Sequence, residues 1–210
     1  VEQGRLDPLG RTIKAAFDRC VALFLLILLL PLLAVLALLV RRDGGPVFYV
    51  HHRIGQHGKS FACLKFRTMR PDARHILNEL LAGDASAREE WTATMKLRHD
   101  PRITTLGRFM RVHSLDELPQ LINVLRGEMS LVGPRPIDAI ECDRFGAELG
   151  YYYQVKPGIT GLWQVSGRNS LDYEKRVHLN TWYVKNWSLW LDVVILAKTI
   201  PTVASRRDAF

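Results

Sequence analysis

The longest apolar run of the chain predicts its most distinctive element. Residues 21–40 read "VALFLLILLLPLLAVLALLV", without a charged or polar side chain. As a helix, a run of this length extends about 30 Å, the thickness of the hydrocarbon core of a bilayer. A surface helix of a soluble protein would carry polar residues at helical spacing, and this run has none. The pattern therefore predicts a membrane-embedded helix over residues 13–42.

The middle and the ends of this run bear on how it enters the membrane. Pro31 removes one helical hydrogen bond and clashes with the preceding turn, so we expect a kink or break near residues 27–31. "RRDGGPVF" follows the run in place of a small-residue cleavage site, which disfavours a signal peptide. Basic residues prefer the cytoplasmic side, so positive flanks at both ends favour a re-entrant helix over a kinked helix that crosses the bilayer. The flanking residues are Arg11, Lys14, Arg19, Arg41 and Arg42.

The remaining pattern predicts more helix than strand. Two β-prone runs, residues 47–50 and 61–66, flank a loop with Gly55 and Gly58 and predict a short hairpin. Helical patterns cover residues 74–97, with a break near Gly83 and Asp84, and residues 118–125, 171–187 and 189–203. We expect an α+β, mostly helical fold, with a re-entrant membrane helix, a hairpin, and amphipathic interfacial helices around the active site.

Aromatic residues are concentrated in the last third of the chain. Buried packing is the ordinary role of such residues, but Trp and Tyr beside basic side chains also suit the headgroup layer of a membrane. The pattern leaves both roles open. The residues are Tyr151, Tyr152, Tyr153, Trp163, Tyr173, Trp182, Tyr183, Trp187 and Trp190.

Composition limits the class of protein and the class of partner. The 210 residues suit one domain, and a formal net charge of +8 favours an anionic partner: nucleic acid, an anionic lipid or a phosphorylated substrate. Basic and aromatic residues also serve single-stranded nucleic acids, but the apolar run makes this the weaker interpretation, and we expect no nucleic acid. The three cysteines lie far apart with no CxxC spacing, which indicates a reducing compartment without a disulfide framework or zinc site.

An acidic pair, Asp116 and Glu117, precedes a helical run in "HSLDELPQLINVLRGEMSLVGPRP". Ser114 and Glu117 match a capping box and Asp116 is a good N-cap residue, so helix capping explains the pair by itself. A helix N-terminus is also an anion site, and Arg111 just upstream suits a phosphate. Adjacent helical residues diverge, so one carboxylate could attack phosphorus while the other holds Mg²⁺. The chemistry suggested is phosphoryl transfer from a diphosphate donor.

Several blocks in a fixed order resemble one known family, the bacterial monotopic polyprenyl-phosphate phosphoglycosyl transferases, also called bacterial sugar transferases. The resemblance extends from about Arg11 to the C-terminus, and it lies in the apolar helix with Pro31 and in the blocks "GGPVFY", "LKFRTM", "DPRITTLGRFMR", "SLDELPQLINVLRGEMSLVGPRP", "KPGITGLWQVSGR" and "WSLWLDVVILAKTI". It implies transfer of a sugar-1-phosphate from a UDP-sugar to undecaprenyl phosphate, with release of UMP. Several members have a serine before the helix-breaking proline, whereas this chain has Leu30.

The resemblance also implies roles for particular residues. Asp116 matches the nucleophile that attacks the sugar-bearing phosphate, and Glu117 matches the Mg²⁺ ligand. The implied substrate-binding positions are basic: Arg111, Arg135 in "GPRP", Arg168 in "SGR", and Lys65 and Arg67 in "KFR". Two stretches, "LLAGDASAREEWTATMKLRHDPRIT" and "SRRDAF", look most like longer members that start O-antigen or exopolysaccharide synthesis with galactose-1-phosphate; glucose is the alternative.

The expected setting is the cytoplasmic face of a bacterial inner membrane. Residues 43–210 would form the cytoplasmic part of a single catalytic domain, and the chain would be the catalytic portion of a longer enzyme. The expected partners are a UDP-hexose, undecaprenyl phosphate and membrane lipids, with a homo-oligomer as a further candidate. Two other classes stay open: a non-catalytic module that binds anionic lipid or nucleic acid, and a glycosyltransferase that moves the sugar alone and releases UDP.

Overall fold

The computed structural model describes residues 8–167 and 170–204, and its first element is a helix of 34 residues. Helix α1 (Pro8–Arg41) is long and apolar enough to cross a membrane by its length and composition. Pro31 lies inside α1, and helical structure continues on both sides of it. Of the kink or break that we predicted near Pro31, a break is therefore excluded, because the helix does not end there, and a kink stays a prediction.

One face of α1 packs against the rest of the protein along almost its full length. Ala22 belongs to the main core, whereas Leu36 and Val40 pack with Phe66 and Met110 in a second core. The other face is exposed and apolar, and it includes Leu23, Phe24, Ile27, Leu28, Leu30 and Leu38. Both ends of the helix thus contact the same globular body, while a continuous apolar surface faces away from it.

Buried charged groups attach the first half of α1 to the body. Lys14 Nζ donates to Asp192 Oδ2 at 2.6 Å, and both residues are buried. Asp192 also accepts from the Tyr183 hydroxyl at 2.7 Å and from Trp187 Nε1 at 3.0 Å. Asp18 accepts from the Ser130 hydroxyl at 2.7 Å. Lys14, which the sequence pattern suggested as a flanking charge at the membrane surface, is therefore buried in a polar network.

The predicted hairpin is present, with strands β1 (Phe48–Ile54) and β2 (Ser60–Phe66) in antiparallel register. Its turn contains two left-handed residues, His57 and Gly58. Tyr49 pairs with Lys65 and His51 pairs with Cys63, so these side chains share one face of the hairpin. On the opposite face Phe48 stacks on Phe66.

Four helices follow the hairpin before the next strand. Helices α2 (Ala73–Gly83) and α3 (Ala85–Thr94) meet at Asp84, whose carboxylate caps α3 by accepting from Ser86 N at 2.8 Å. This confirms the predicted break near Gly83 and Asp84. Helices α4 (Thr105–Val112) and α5 (Gln120–Leu125) flank the acidic pair.

A short parallel pair of strands, β3 (Ser130–Val132) and β4 (Gly158–Thr160), lies in the main core and was not predicted. Glycines allow the two segments to approach closely, because a Cβ on Gly158 would stand 2.1 Å from the backbone nitrogen of Gly133. The remaining helices are α6 (Cys142–Phe145), α7 (Leu149–Tyr152), α8 (Leu162–Ser166), α9 (Tyr173–Lys185) and α10 (Leu189–Ala204). The last two match the predicted helices, and the α+β, mostly helical class is confirmed.

The aromatic residues of the last third include both buried and exposed side chains. Tyr152, Tyr183 and Trp163 are buried, whereas Trp182 and Trp190 are exposed. In α10 the exposed Trp190, together with Val193 and Ile200, forms an apolar face that the body does not cover.

Candidate active site

The acidic pair lies in a single 3-10 turn, Leu115–Glu117, between α4 and α5. Ser114 precedes the turn in the left-handed region, and its side chain makes no capping hydrogen bond. Helix α5 begins only at Gln120, after Pro119, again without a side-chain cap. The capping box that the sequence allowed is therefore absent. The chain turns tightly at Ser114, so both carboxylates lie in the 3-10 turn and not at the first residues of α5.

Glu117 is held by two basic side chains from distant parts of the chain. Lys65 Nζ lies 2.6 Å from Glu117 Oε1, and Arg135 Nη2 lies 3.9 Å from the same oxygen. Burial raises the pKa of Glu117, but the positive charges of Lys65 and Arg135 outweigh it and lower this pKa to about 2. Glu117 is therefore ionised at any physiological pH.

Asp116 is buried, with 9% of its surface exposed, yet its carboxylate takes part in no side-chain hydrogen bond or salt bridge within residues 8–167 and 170–204. Burial and the adjacent negative charge of Glu117 raise the pKa of Asp116, and the attraction of Lys65 and Arg111 only partly opposes them. A buried carboxylate without a strong partner is costly to maintain. Its negative charge is available to react with an electrophile.

Arg111 reaches the site from the last turn of α4. Its Nε donates to the Thr68 hydroxyl at 2.9 Å, which fixes the direction of the guanidinium. A Cβ on Gly107 would stand 2.0 Å from the Thr68 carbonyl oxygen, so only glycine lets α4 approach closely enough for this contact. Burial lowers the pKa of Arg111, and the charge of Asp116 opposes that shift.

These side chains line one broad open cleft. Lys65 comes from β2, Arg111 from α4, the acidic pair from the 3-10 turn, and Arg135 from the loop after β3. The three cations Lys65, Arg111 and Arg135 beside the acidic pair can accommodate a substrate that carries more than one phosphate. The structure thus brings together five of the seven residues that the sequence singled out.

The structure does not support a substrate contact for Arg67, although it borders the cleft. Its guanidinium donates to both carboxylate oxygens of Asp43 and to the carbonyl oxygens of Val40, Pro46 and Met69. All five N–H groups are therefore used, and none remains for a phosphate oxygen. Arg67 instead fastens the end of α1 to the hairpin. Arg168 lies outside the described residues.

One family model matches almost the whole chain. The family model described as "Bacterial sugar transferase" matches residues 9–206. The chain belongs to the bacterial sugar transferase family.

Three relatives of this sugar transferase show the range of the family. It is 54% identical over 201 residues to the undecaprenyl-phosphate galactose phosphotransferase of Salmonella typhimurium, an alignment that covers 96% of the chain and 42% of that protein. It is 49% identical over 210 residues to the exopolysaccharide production protein ExoY of Rhizobium meliloti, covering all of the chain and 93% of that protein. It is 40% identical over 211 residues to the undecaprenyl-phosphate glucose phosphotransferase of Komagataeibacter xylinus, covering 94% of the chain and 37% of that protein. The sugar transferase thus spans less than half the length of two of these relatives.

The donor set of the sugar transferase fits Mg²⁺ as an ion that binds together with substrate. Among the described residues no group of three or more His, Cys, Asp or Glu side chains could hold a metal. Mg²⁺ commonly takes only one or two carboxylates and fills its other positions with water and phosphate oxygens. Glu117 keeps one oxygen outside the Lys65 contact, so it can supply the single carboxylate that such an ion needs.

One functional candidate of the sugar transferase was missed at the sequence level. Arg53 lines the same cleft, and its positive charge also lowers the pKa of Glu117, though less than those of Lys65 and Arg135. It is anchored by Asp138 Oδ2 at 2.6 Å, and His51 contacts the other oxygen of that carboxylate at 3.0 Å. The sequence contained a signal for this residue. His51 and Arg53 are two residues apart in a strand, so both side chains lie on the face of the hairpin that carries Lys65.

Proposed function

We propose that this sugar transferase moves a hexose-1-phosphate from a UDP-hexose to undecaprenyl phosphate and releases UMP, the first step of O-antigen, capsule or exopolysaccharide synthesis. The observation that carries the proposal is the buried Asp116 carboxylate, which forms no salt bridge with the described residues, in a cleft lined by Lys65, Arg111 and Arg135. The names of the Salmonella and Komagataeibacter relatives support the acceptor lipid and the phosphosugar class.

The proposed reaction has two displacements at one phosphorus atom. An Asp116 carboxylate oxygen attacks the sugar-bearing phosphorus, an oxygen–phosphorus bond forms, and the bond to the other phosphate breaks, so that UMP leaves with the electron pair. A phosphate oxygen of undecaprenyl phosphate then attacks the same phosphorus and Asp116 leaves as a carboxylate. A raised pKa suits this role because a more basic carboxylate, once ionised, is the stronger nucleophile.

The surrounding residues orient the phosphates and offset their charge. Arg111, held in place by Thr68, and Arg135 are positioned to bind phosphate oxygens, while Lys65 keeps Glu117 ionised. Glu117 would hold Mg²⁺, which supplies further neutralisation of the diphosphate when bound.

Galactose is the favoured hexose and glucose is the alternative. Relatives named for galactose are 54% identical to this chain, whereas the relative named for glucose is 40% identical. This preference rests on overall similarity, and the hexose panel described below decides it.

The proposed setting is the cytoplasmic face of the inner membrane, with α1 re-entrant and residues 43–210 in the cytoplasm. Helix α1 has 34 residues with Pro31 inside it, and a bend at this proline would let the helix enter and leave the membrane on the same face. Both Lys14 near its start and Val40 near its end pack on the same body. Re-entry leaves that body on one side of the membrane, and it holds the cleft near the phosphate of the acceptor lipid.

The reaction is tested by identifying the released nucleotide. Purified protein is incubated with Mg²⁺, undecaprenyl phosphate and, separately, UDP-galactose, UDP-glucose and their N-acetyl derivatives. We expect the released nucleotide to be UMP and its repeated release to require undecaprenyl phosphate. UDP-galactose should be the best donor. Release of UDP would indicate transfer of the sugar alone, and no release from any donor would contradict the proposal.

The membrane topology is tested by cysteine labelling in spheroplasts. Single cysteines are introduced before Arg11 and after Arg42 in a variant whose own three cysteines are replaced by serine or alanine. Re-entry predicts that a membrane-impermeant maleimide labels neither site until the membrane is opened. Labelling of the first site alone from outside would establish a crossing helix instead.

A further inference from the structure

Two cations outside the cleft converge on one glycine. Gly127 lies in the turn between α5 and β3, with a φ of +78°. A Cβ at this position would stand 3.0 Å from Arg19 Nη2 and 3.5 Å from Lys156 Nζ. Arg19 comes from α1 and Lys156 from the segment before β4, so residues far apart in sequence meet at a small notch above the Gly127 backbone. Neither cation lines the cleft that contains Asp116.

The structure supplies no anion for this pair within the residues that it describes. Neither Arg19 nor Lys156 forms a salt bridge or side-chain hydrogen bond there. The nearby carboxylates are committed elsewhere, Asp18 to Lys14 and Ser130, and Glu128 to Asn123 Nδ2 at 2.6 Å. Burial and then the charge of Arg19 lower the pKa of Lys156, and the charge of Asp18 opposes them only in part. Two like charges held together without a directly paired carboxylate repel each other, and a bound anion relieves that repulsion.

The surroundings of the notch are those of a lipid headgroup. Arg19 stands two residues before the apolar run of 21–40, at the level where basic side chains meet phosphates. Leu23 and Ile27 follow at four-residue steps on the same face of α1, and they are 51% and 66% exposed. A lipid whose phosphate lies at Arg19 could therefore place its acyl chains against this apolar surface. Free phosphate has no apolar part and would gain nothing from it.

We propose that Arg19, Lys156 and the Gly127 turn form a binding site for the phosphate of an anionic glycerophospholipid, separate from the substrate cleft. Its acyl chains lie along the exposed face of α1 that begins at Leu23. The bound lipid would set the depth of the first half of α1 in the membrane, because it contacts both this helix and the body.

The test measures thermal unfolding of the detergent-solubilised protein with added lipid. Phosphatidylglycerol is compared with phosphatidylcholine and with inorganic phosphate, for the native chain and for Arg19→Gln/Lys156→Gln. At about a hundredfold excess over the dissociation constant we expect phosphatidylglycerol to raise the Tm of the native chain by roughly 5 °C. We expect a negligible shift in the double variant, and little shift with phosphatidylcholine or phosphate.

The matched control is a variant that lacks two lysines elsewhere on the surface. Lys59→Gln/Lys175→Gln removes two exposed cations away from the notch and should respond like the native chain. Without lipid, Arg19→Gln/Lys156→Gln should unfold no earlier than the native chain, because it loses a repulsion. An equal response of both double variants to phosphatidylglycerol would overturn the site. If inorganic phosphate alone raised the Tm of the native chain, the assignment of the notch to a lipid would be overturned. If undecaprenyl phosphate raised the Tm and this rise were lost only in Arg19→Gln/Lys156→Gln, the notch would bind the acceptor lipid instead of a glycerophospholipid.

Discussion

Asp116→Asn should lose at least about three orders of magnitude of nucleotide release while unfolding at a higher temperature than the native chain at pH 7. The activity falls because an amide cannot form the covalent bond to phosphorus. The stability rises because the ionised carboxylate is disfavoured in the folded state, where burial and Glu117 raise its pKa above the ordinary value of 3.8. Opposite changes in activity and stability would identify a residue whose burial is maintained for its chemistry.

The pH dependence gives the sign of the stability effect. A carboxyl with a raised pKa in the folded state lowers the free energy of unfolding as the pH rises from 3.8 through that raised value. The advantage of Asp116→Asn should therefore be larger at pH 7 than near pH 3.8 and shrink as the pH falls between the two. Thermal unfolding at several pH values, with UMP release assayed at pH 7, measures both effects.

Asp143→Asn is the matched control, because Asp143 is exposed in α6 and lies outside the cleft. Its effects on UMP release and on the Tm should both be much smaller than those of Asp116→Asn. Full activity in Asp116→Asn would contradict the proposed nucleophile, and a lower Tm with retained activity would show that Asp116 is a structural residue.

Lys14→Met should destabilise the protein by about 3–5 kcal/mol and lower its Tm by roughly 10 °C. The side chain of Asp192 is fully buried, and without Lys14 Nζ at 2.6 Å its charge would have no cation. Asp18, 3.7 Å from the same nitrogen, would also lose its compensation. The variant should also release less UMP, because the first half of α1 would no longer be held against the body.

A double-mutant cycle separates the ion pair from lost packing. Lys14→Met/Asp192→Asn removes both charges of the pair, so we expect it to be more stable than Lys14→Met alone. Lys175→Met, at an exposed position of α9, controls for the loss of a lysine and should change the Tm little. Equal stability of Lys14→Met and Lys175→Met would show that the buried pair contributes nothing.

Elements defined by local signals were predictable. The hairpin follows from two β-prone runs around a glycine-containing loop, and the break before α3 follows from the ability of Asp84 to cap a helix. The acidic pair and the basic positions came from contiguous motifs. The parallel strands β3 and β4 were missed because each has only three residues and their pairing joins segments more than twenty residues apart.

Side-chain partners were the least predictable part of the site. Nothing local distinguishes Arg67, whose donors are all used by Asp43 and backbone carbonyls, from Lys65 two residues earlier, which contacts Glu117. The expected cap at Ser114 failed for a related reason. A capping box assumes helical backbone after the serine, whereas packing of the 3-10 turn places Ser114 in the left-handed region.

The sequence by itself determined the long apolar helix, the mostly helical class and the acidic pair, because hydrophobic periodicity and residue chemistry are local properties, and the resemblance to the family supplied most of the basic neighbours. Only the tertiary structure decided that Lys14 is buried against Asp192, that Arg67 is structural, and that Asp116 is unpaired while Glu117 is held by Lys65. Those facts depend on which distant segments pack together. The burial and ionisation of a side chain follow from that packing rather than from its neighbours in the chain.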